Sequence, residues 1–208
     1  MQFKMKNILN NLPKITKYLL IANIIMFLLT YLFQYIGIDL YQYLAAFPYS
    51  SQHFEPLQLI TYQFMHGSFL HILFNMVGLY FICPILEKYM GKYKFLLFYL
   101  ISGVVSAGVF LIFSDAPLVG ASGALYGCIA GLAIYEPEAR FSIIFLPFWS
   151  FKAKHFIPVL FLYEFVMAIL PLNDGVGHWA HIFGGIAGAL LFLYVRKTTF
   201  RSISSSRW

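Results

Sequence analysis

Ser122, His181, His71 and Asn75 are the residues of this 208-residue chain whose types suit covalent chemistry. The serine sits in the small-residue run GASGALYG (residues 120–127), and His181 lies in HWAHIFGG (residues 178–185). A hydroxyl and an imidazole within reach of each other make a nucleophile and its base, the minimum for acyl transfer. His71 and Asn75 are four residues apart, so a helix would set them on one face. Both can donate hydrogen bonds to a developing oxyanion. Whether the four can meet depends on the elements that carry them.

The composition restricts those elements to a membrane. Hydrophobic residues make up 61% of the chain and charged ones 11%, and mean hydropathy is +0.76, outside the range of soluble globular domains. Apolar stretches long enough to cross a hydrocarbon core of about 30 Å fall at residues 18–38, 69–86, 95–113, 119–135, 156–172 and 179–195. The expected fold is all-α: a polytopic membrane protein with six transmembrane helices in a single domain over residues 1–208. A seventh apolar run at 141–151 is too short to span and carries Pro147, so it is expected as an interfacial or re-entrant piece.

Basic residues orient the spans, because Lys and Arg in short loops are retained on the cytoplasmic side. With the N-terminus inside, Lys4, Lys6, Lys14 and Lys17 precede the first span. Lys88, Lys92 and Lys94 join the second to the third, and Arg140, Lys152 and Lys154 join the fourth to the fifth. Arg196, Lys197, Arg201 and Arg207 form the tail. These are all 14 basic residues, so the expectation is residues 1–17 and 197–208 in the cytoplasm, a core over 18–196, and a cell (inner) membrane location. The net charge of +6 then records topology and contact with anionic lipid, and no nucleic-acid partner is read from it. The first apolar stretch exceeds a secretory h-region and lacks a small-x-small cleavage site, so it is read as a retained helix. Cys83 and Cys128 fall inside spans and form no metal-ligand spacing. The aromatic-rich outer loop, residues 39–67, is interrupted by Pro48 and Pro56 and is expected in the outer interface.

Spans two, four and six all run inward from the outer face. His71, Ser122 and His181 lie near their outer ends, and Asn75 is one turn further in. At about 1.5 Å per residue all four sit roughly 5–10 Å below the surface. Gly123, Gly127 and Gly131 repeat at four-residue spacing in span four, as do Gly184 and Gly188 in span six. Such stripes allow close approach of transmembrane backbones and bring Ser122 within reach of His181. Tyr126, one turn below Ser122, can pack its ring on His181.

The chain resembles the rhomboid intramembrane serine proteases through HGSFLHILFN (66–75), GASG (120–123) with Tyr126 following, and AHIFGG (180–185). The resemblance implies a six-helix bundle with Ser122 and His181 as a catalytic dyad. His71, Asn75 and the Ser122 amide would form the oxyanion site, with Tyr126 and Gly120 as supporting residues. It further implies cleavage of transmembrane protein substrates near the extracytoplasmic side, with the lipid bilayer as surroundings and no cofactor or metal. One departure is Leu57-Gln58, where many members carry Trp-Arg in the outer loop. A single amide is not equivalent to a fork of guanidinium donors, so the loop is expected to be held differently.

Other readings remain open at this stage. A lone transmembrane serine is more often a packing residue, and His71 and Asn75 could be interhelical glue. His66 and His178 are expected at the water boundary as wet or structural residues, Glu87 as a structural acceptor, and Glu164 has no assigned role. His178 and His181, at i and i+3, could instead begin a metal site, although no HExxH accompanies them. A transporter, or an inactive relative that only binds membrane helices, completes the alternatives. Nothing in the residues speaks to oligomeric state.

Overall fold

The computed structural model describes residues 12–143, 146–170 and 174–205. Its elements are α1 (Lys14–Tyr35), α2 (Tyr41–Leu44), α3 (Gln58–Thr61) running into a 3-10 turn (Tyr62–Phe64), α4 (Phe69–Met90), α5 (Lys92–Phe113), α6 (Ser122–Tyr135), β1 (Arg140–Ile143), β2 (Leu146–Lys152), α7 (Ala153–Ile169) and α8 (His178–Ser205). Each of the six apolar stretches is thus met by one helix. Four of these, α1, α4, α5 and α8, are long and apolar enough to cross a membrane. Helices α6 and α7 are shorter, at 14 and 17 residues. Large apolar residues such as Leu28, Phe74, Phe81, Leu97 and Leu190 are exposed on the outside of the bundle, a surface that lipid covers and water would not tolerate.

Local sequence explains where the helices start and stop. Ser68 caps α4, its hydroxyl accepting from the His71 N–H at 3.2 Å, which settles the first turn that carries His71. Gly91, at φ +78°, ends α4 and leads directly into α5, a left-handed position that suits glycine. The start of α1 is capped from another helix. The Glu87 carboxylate on α4 accepts from the N–H groups of Ile15 and Thr16 at 2.9 and 2.7 Å and from the Thr16 hydroxyl at 2.8 Å. Its role as a structural acceptor is therefore specific: it satisfies orphan donors of α1.

Helices α6 and α8 meet backbone to backbone. A Cβ added to Gly184 would lie 2.1 Å from the Gly123 carbonyl oxygen, and one added to Gly188 would lie 2.3 Å from the Gly127 Cα. No side chain fits at either place, so the glycine stripes set the separation of the two helices. Helix α5 closes the same interface from behind, with the Ser106 hydroxyl donating to the Ala180 carbonyl at 2.6 Å. Leu79, Cys83, Leu86, Phe95, Cys128, Leu132 and Phe192 form the fully buried core below.

The run 141–151, expected as an interfacial or re-entrant piece, takes the form of a strand pair: β1 and β2 pair antiparallel, Arg140 opposite Lys152 and Phe141 opposite Phe151. Pairing satisfies backbone groups that Pro147 would leave open in a helix. Glu138 at its base bonds Lys152 at 2.7 Å and also Lys154, and these two cations hold its carboxyl down at about 2. The outer loop, expected in the outer interface, has its centre built into the bundle. Tyr62, Gln63, Met65 and His66 are buried, and the Tyr62 hydroxyl donates to the Gly103 carbonyl on α5 at 2.7 Å. Gln58 supplies what a guanidinium would have to. Its carboxamide oxygen accepts from the Phe47 and Glu55 N–H groups, and its nitrogen donates to the His53 carbonyl at 2.8 Å and the Tyr43 carbonyl at 3.4 Å. One buried amide thereby ties four stretches of loop, while Leu57 beside it is exposed.

Candidate active site

The segment before α6 is irregular, and irregular backbone in an apolar layer must find partners within the protein. Here it does. Ala46 and Leu118 exchange both backbone hydrogen bonds, at 3.0 and 2.8 Å, and the Gly120 N–H donates to the Tyr62 carbonyl at 2.9 Å. Gly120 has φ +120°, and an added Cβ would lie 2.6 Å from Nε2 of His71 and 3.7 Å from Oγ of Ser122. Glycine is required there on both counts. The same figures put the His71 ring, Gly120 and the Ser122 hydroxyl around one point at the start of α6.

Ser122 is the first residue of α6 and His181 lies in the first turn of α8. The glycine contacts one turn below bring Oγ of Ser122 to 2.8 Å from Nε2 of His181. Tyr126 stacks on the histidine ring with centroids 4.2 Å apart and planes 7° from parallel. The imidazole is thereby held in one plane, aimed at the serine. The pairing expected from spacing alone is present as a direct hydrogen bond.

Asn75 sits one turn below His71 and is buried. Its amide nitrogen donates to the His71 carbonyl at 3.0 Å, leaving its second hydrogen available to another acceptor. Helix α4 thus brings His71 to Gly120 and Ser122, while the recorded bond of Asn75 is to its own helix.

Two histidines lie in surroundings the spacing did not reveal. His66, expected at a wet boundary, is fully buried and stands edge-on to His71 at 4.9 Å. Neither ring nitrogen has a hydrogen-bond partner among the described residues, and burial, then the neighbouring His71, pushes its pKa down to about 3. His178 is also buried, because α7 crosses in front of it. Its Nδ1 lies 2.6 Å from Oε2 of Glu164 and its Nε2 3.0 Å from Oδ2 of Asp174. The histidine beside it lowers the pKa of Asp174.

Glu164 is the residue the sequence left without a role. It is buried on α7, bonded to the Tyr126 hydroxyl through Oε1 and 3.0 Å from Nδ1 of His181 through Oε2. The available signal was its type, since an ionisable group in an apolar span is costly unless partnered. Ligand atoms of Glu164, His178 and His181 all lie within 4.8 Å of one another, so these three are also the candidate holders of a metal ion among the described residues.

A family model described as a rhomboid domain matches residues 53–198. The chain is 33% identical over 146 residues to the YdcA protein of Bacillus subtilis (strain 168), covering 67% of this chain and 68% of that one. It is 30% identical over 159 residues to the rhomboid protease GlpG of Yersinia pestis (strain Pestoides F). It is 29% identical over 167 residues to the mitochondrial presenilin-associated rhomboid-like protein A of Danio rerio. The matches span 55% and 43% of the last two proteins, against 76% and 78% of this chain.

Proposed function

The chain belongs to the rhomboid family, and on that premise we propose that it is an intramembrane serine protease acting through a Ser122–His181 dyad. The observation that carries the reading is the 2.8 Å bond from Oγ of Ser122 to Nε2 of His181, at the point where Gly120 and His71 converge.

The chemistry follows from the groups present. Ser122 Oγ attacks the scissile carbonyl as His181 Nε2 takes its proton, giving a tetrahedral intermediate. Its oxyanion accepts from the Ser122 N–H at the start of α6, from His71, and from the free amide hydrogen of Asn75. Collapse returns the proton from His181 to the leaving amine, and water, deprotonated by the same histidine, then hydrolyses the acyl-serine. The substrates are transmembrane proteins, and residues 18–196 act as one membrane domain. Helix α6 is about 21 Å long at 1.5 Å per residue, short of the roughly 30 Å core. An end of α6 therefore falls inside the apolar layer, and the depth counted from the sequence assigns that end to Ser122. The basic residues favour both termini in the cytoplasm and cleavage towards the extracytoplasmic side, in a cell (inner) membrane.

The test is cleavage of a reporter transmembrane substrate, with fluorophosphonate labelling alongside. A hydroxyl without its base is a poor nucleophile, so Ser122→Ala, His181→Ala and the double variant should all lose roughly 10³-fold or more, without additivity. A second reading, a metal-dependent enzyme, is favoured only by the Glu164, His178 and His181 cluster. Cleavage that survives Ser122→Ala and stops with a chelator would replace the first reading by the second. A cysteine placed at Ser51, in protein lacking Cys83 and Cys128, should be labelled from the extracytoplasmic side.

A further inference from the structure

We propose that Glu164 is the positioning residue of this site: its carboxylate fixes the tautomer and the plane of His181. The inference rests on the protease reading above and concerns a residue outside the motifs that suggested it.

The argument starts from donors and acceptors. An ionised carboxylate accepts hydrogen bonds and donates none. With Oε2 of Glu164 at 3.0 Å from Nδ1 of His181, the ring proton belongs on Nδ1. Nε2 then presents a lone pair to the Ser122 hydroxyl at 2.8 Å, which is the tautomer a general base needs. The other tautomer would set two acceptors face to face at Nδ1 and offer Ser122 a donor that takes no proton. When His181 receives the serine proton, the resulting imidazolium is stabilised by the same carboxylate.

Helix α7 holds Glu164 in place by more than its own backbone. Oε1 accepts from the Tyr126 hydroxyl, and the Tyr126 ring is stacked on His181. One tyrosine therefore locates both the carboxylate and the ring it addresses. A buried carboxylate is costly unless it is hydrogen-bonded and charge-paired, and His178 meets that need. Its two ring nitrogens each face a carboxylate oxygen, Glu164 at 2.6 Å and Asp174 at 3.0 Å. When doubly protonated, the ring donates to both and stands as a cation beside Glu164. The groups facing His181 are then Ser122 and Tyr126 from α6, Glu164 from α7, His178 from α8 itself, and His71 from α4. Glu164 is the one anion among these neighbours.

The experiment uses the full chain in detergent micelles. Glu164→Gln and Tyr126→Phe are compared with wild type and Ser122→Ala for kcat, KM, fluorophosphonate labelling rate and thermal stability. Replacing the orienting carboxylate by its amide costs about 10⁴-fold in triad serine proteases. Here the Tyr126 ring still restrains His181, so the expected loss for Glu164→Gln is on the order of 10²-fold in kcat. The labelling rate should fall in parallel, with KM within about threefold, because substrate binding does not use the carboxylate. Tyr126→Phe keeps the stack and loses only the bond to Oε1, so a smaller loss of kcat with unchanged KM is expected.

A residue that merely packs α7 would move stability and KM together and leave labelling alone. Full kcat and full labelling in folded Glu164→Gln would overturn the proposal. Should that variant fail to fold, full kcat and labelling in Tyr126→Phe would do so. Wild-type protein that neither cleaves nor labels at Ser122 would instead remove the protease reading on which this one stands.

Discussion

Gly184→Ala tests whether the spacing of two helices, with no change to a reacting group, controls the dyad. The added Cβ would lie 2.1 Å from the Gly123 carbonyl oxygen. Ordinary contact begins near 3.4 Å, so α8 must withdraw from α6 locally by about 1.3 Å, because backbone on both sides leaves no flexible side chain to give way. Gly184 is three residues from His181, just under one turn along the same helix. Passed on to His181, that movement stretches the 2.8 Å bond to Ser122 to about 4 Å, beyond hydrogen-bonding range. Misplacement of about 1 Å at a reacting centre can cost on the order of 10²-fold. The expected result is a kcat loss of that order, with labelling of Ser122 reduced in step. Overpacking should also lower stability by about 1–3 kcal/mol. Gly67→Ala is the matched control, since its added Cβ meets nothing within 4 Å. Wild-type turnover in Gly184→Ala would refute the idea that close approach of α6 and α8 is what sets the dyad.

Asn75→Ala should lower kcat by about 10²-fold with a smaller change in KM, as for other oxyanion donors; unchanged turnover would show that His71 and the backbone suffice. Glu87→Ala removes the acceptor of three bonds at the start of α1 and should cost about 1–3 kcal/mol in unfolding while leaving kcat intact, whereas wild-type thermal stability would mean α1 is capped otherwise. His66 binds its proton far more weakly in the folded protein, near pH 3, than at its ordinary value of 6.5. The unfolded chain therefore binds more protons across that window, so stability is full above about 6.5 and falls as pH drops towards about 3. Melting temperatures measured between pH 7 and 4 should decline less steeply in His66→Phe, and parallel curves for the two proteins would contradict a neutral buried His66.

Much of the site was legible because membrane sequences state their constraints openly. Six apolar stretches sufficed to draw six helices, since backbone in lipid must satisfy itself locally. Ser122, His181 and His71 share a depth that counting from helix ends recovers, and the glycine spacing announces which helices touch. The hairpin at 140–152 was not legible, because short apolar runs do not distinguish strand from interfacial helix. Nor was the anchoring of the outer loop through Gln58, where one amide serves four backbone stretches brought together only by the fold.

The sequence by itself determined the membrane class and the six apolar helices, and it supplied the orientation by charge and the nucleophile and base that are proposed above. These rest on residue type and spacing along single helices, quantities that survive without a fold. Only the tertiary structure decided what stands behind His181. Glu164 is 17 residues from it in the chain, on the helix before it, and no helical periodicity links them. Its approach depends on how α7 packs beside α6 and α8, where Tyr126 and His178 complete its hydrogen bonds. The same packing buries His66 and His178, which spacing alone had left at the water's edge. Depth along a helix is written in the sequence, whereas the neighbour across an interface is settled by which surfaces fit.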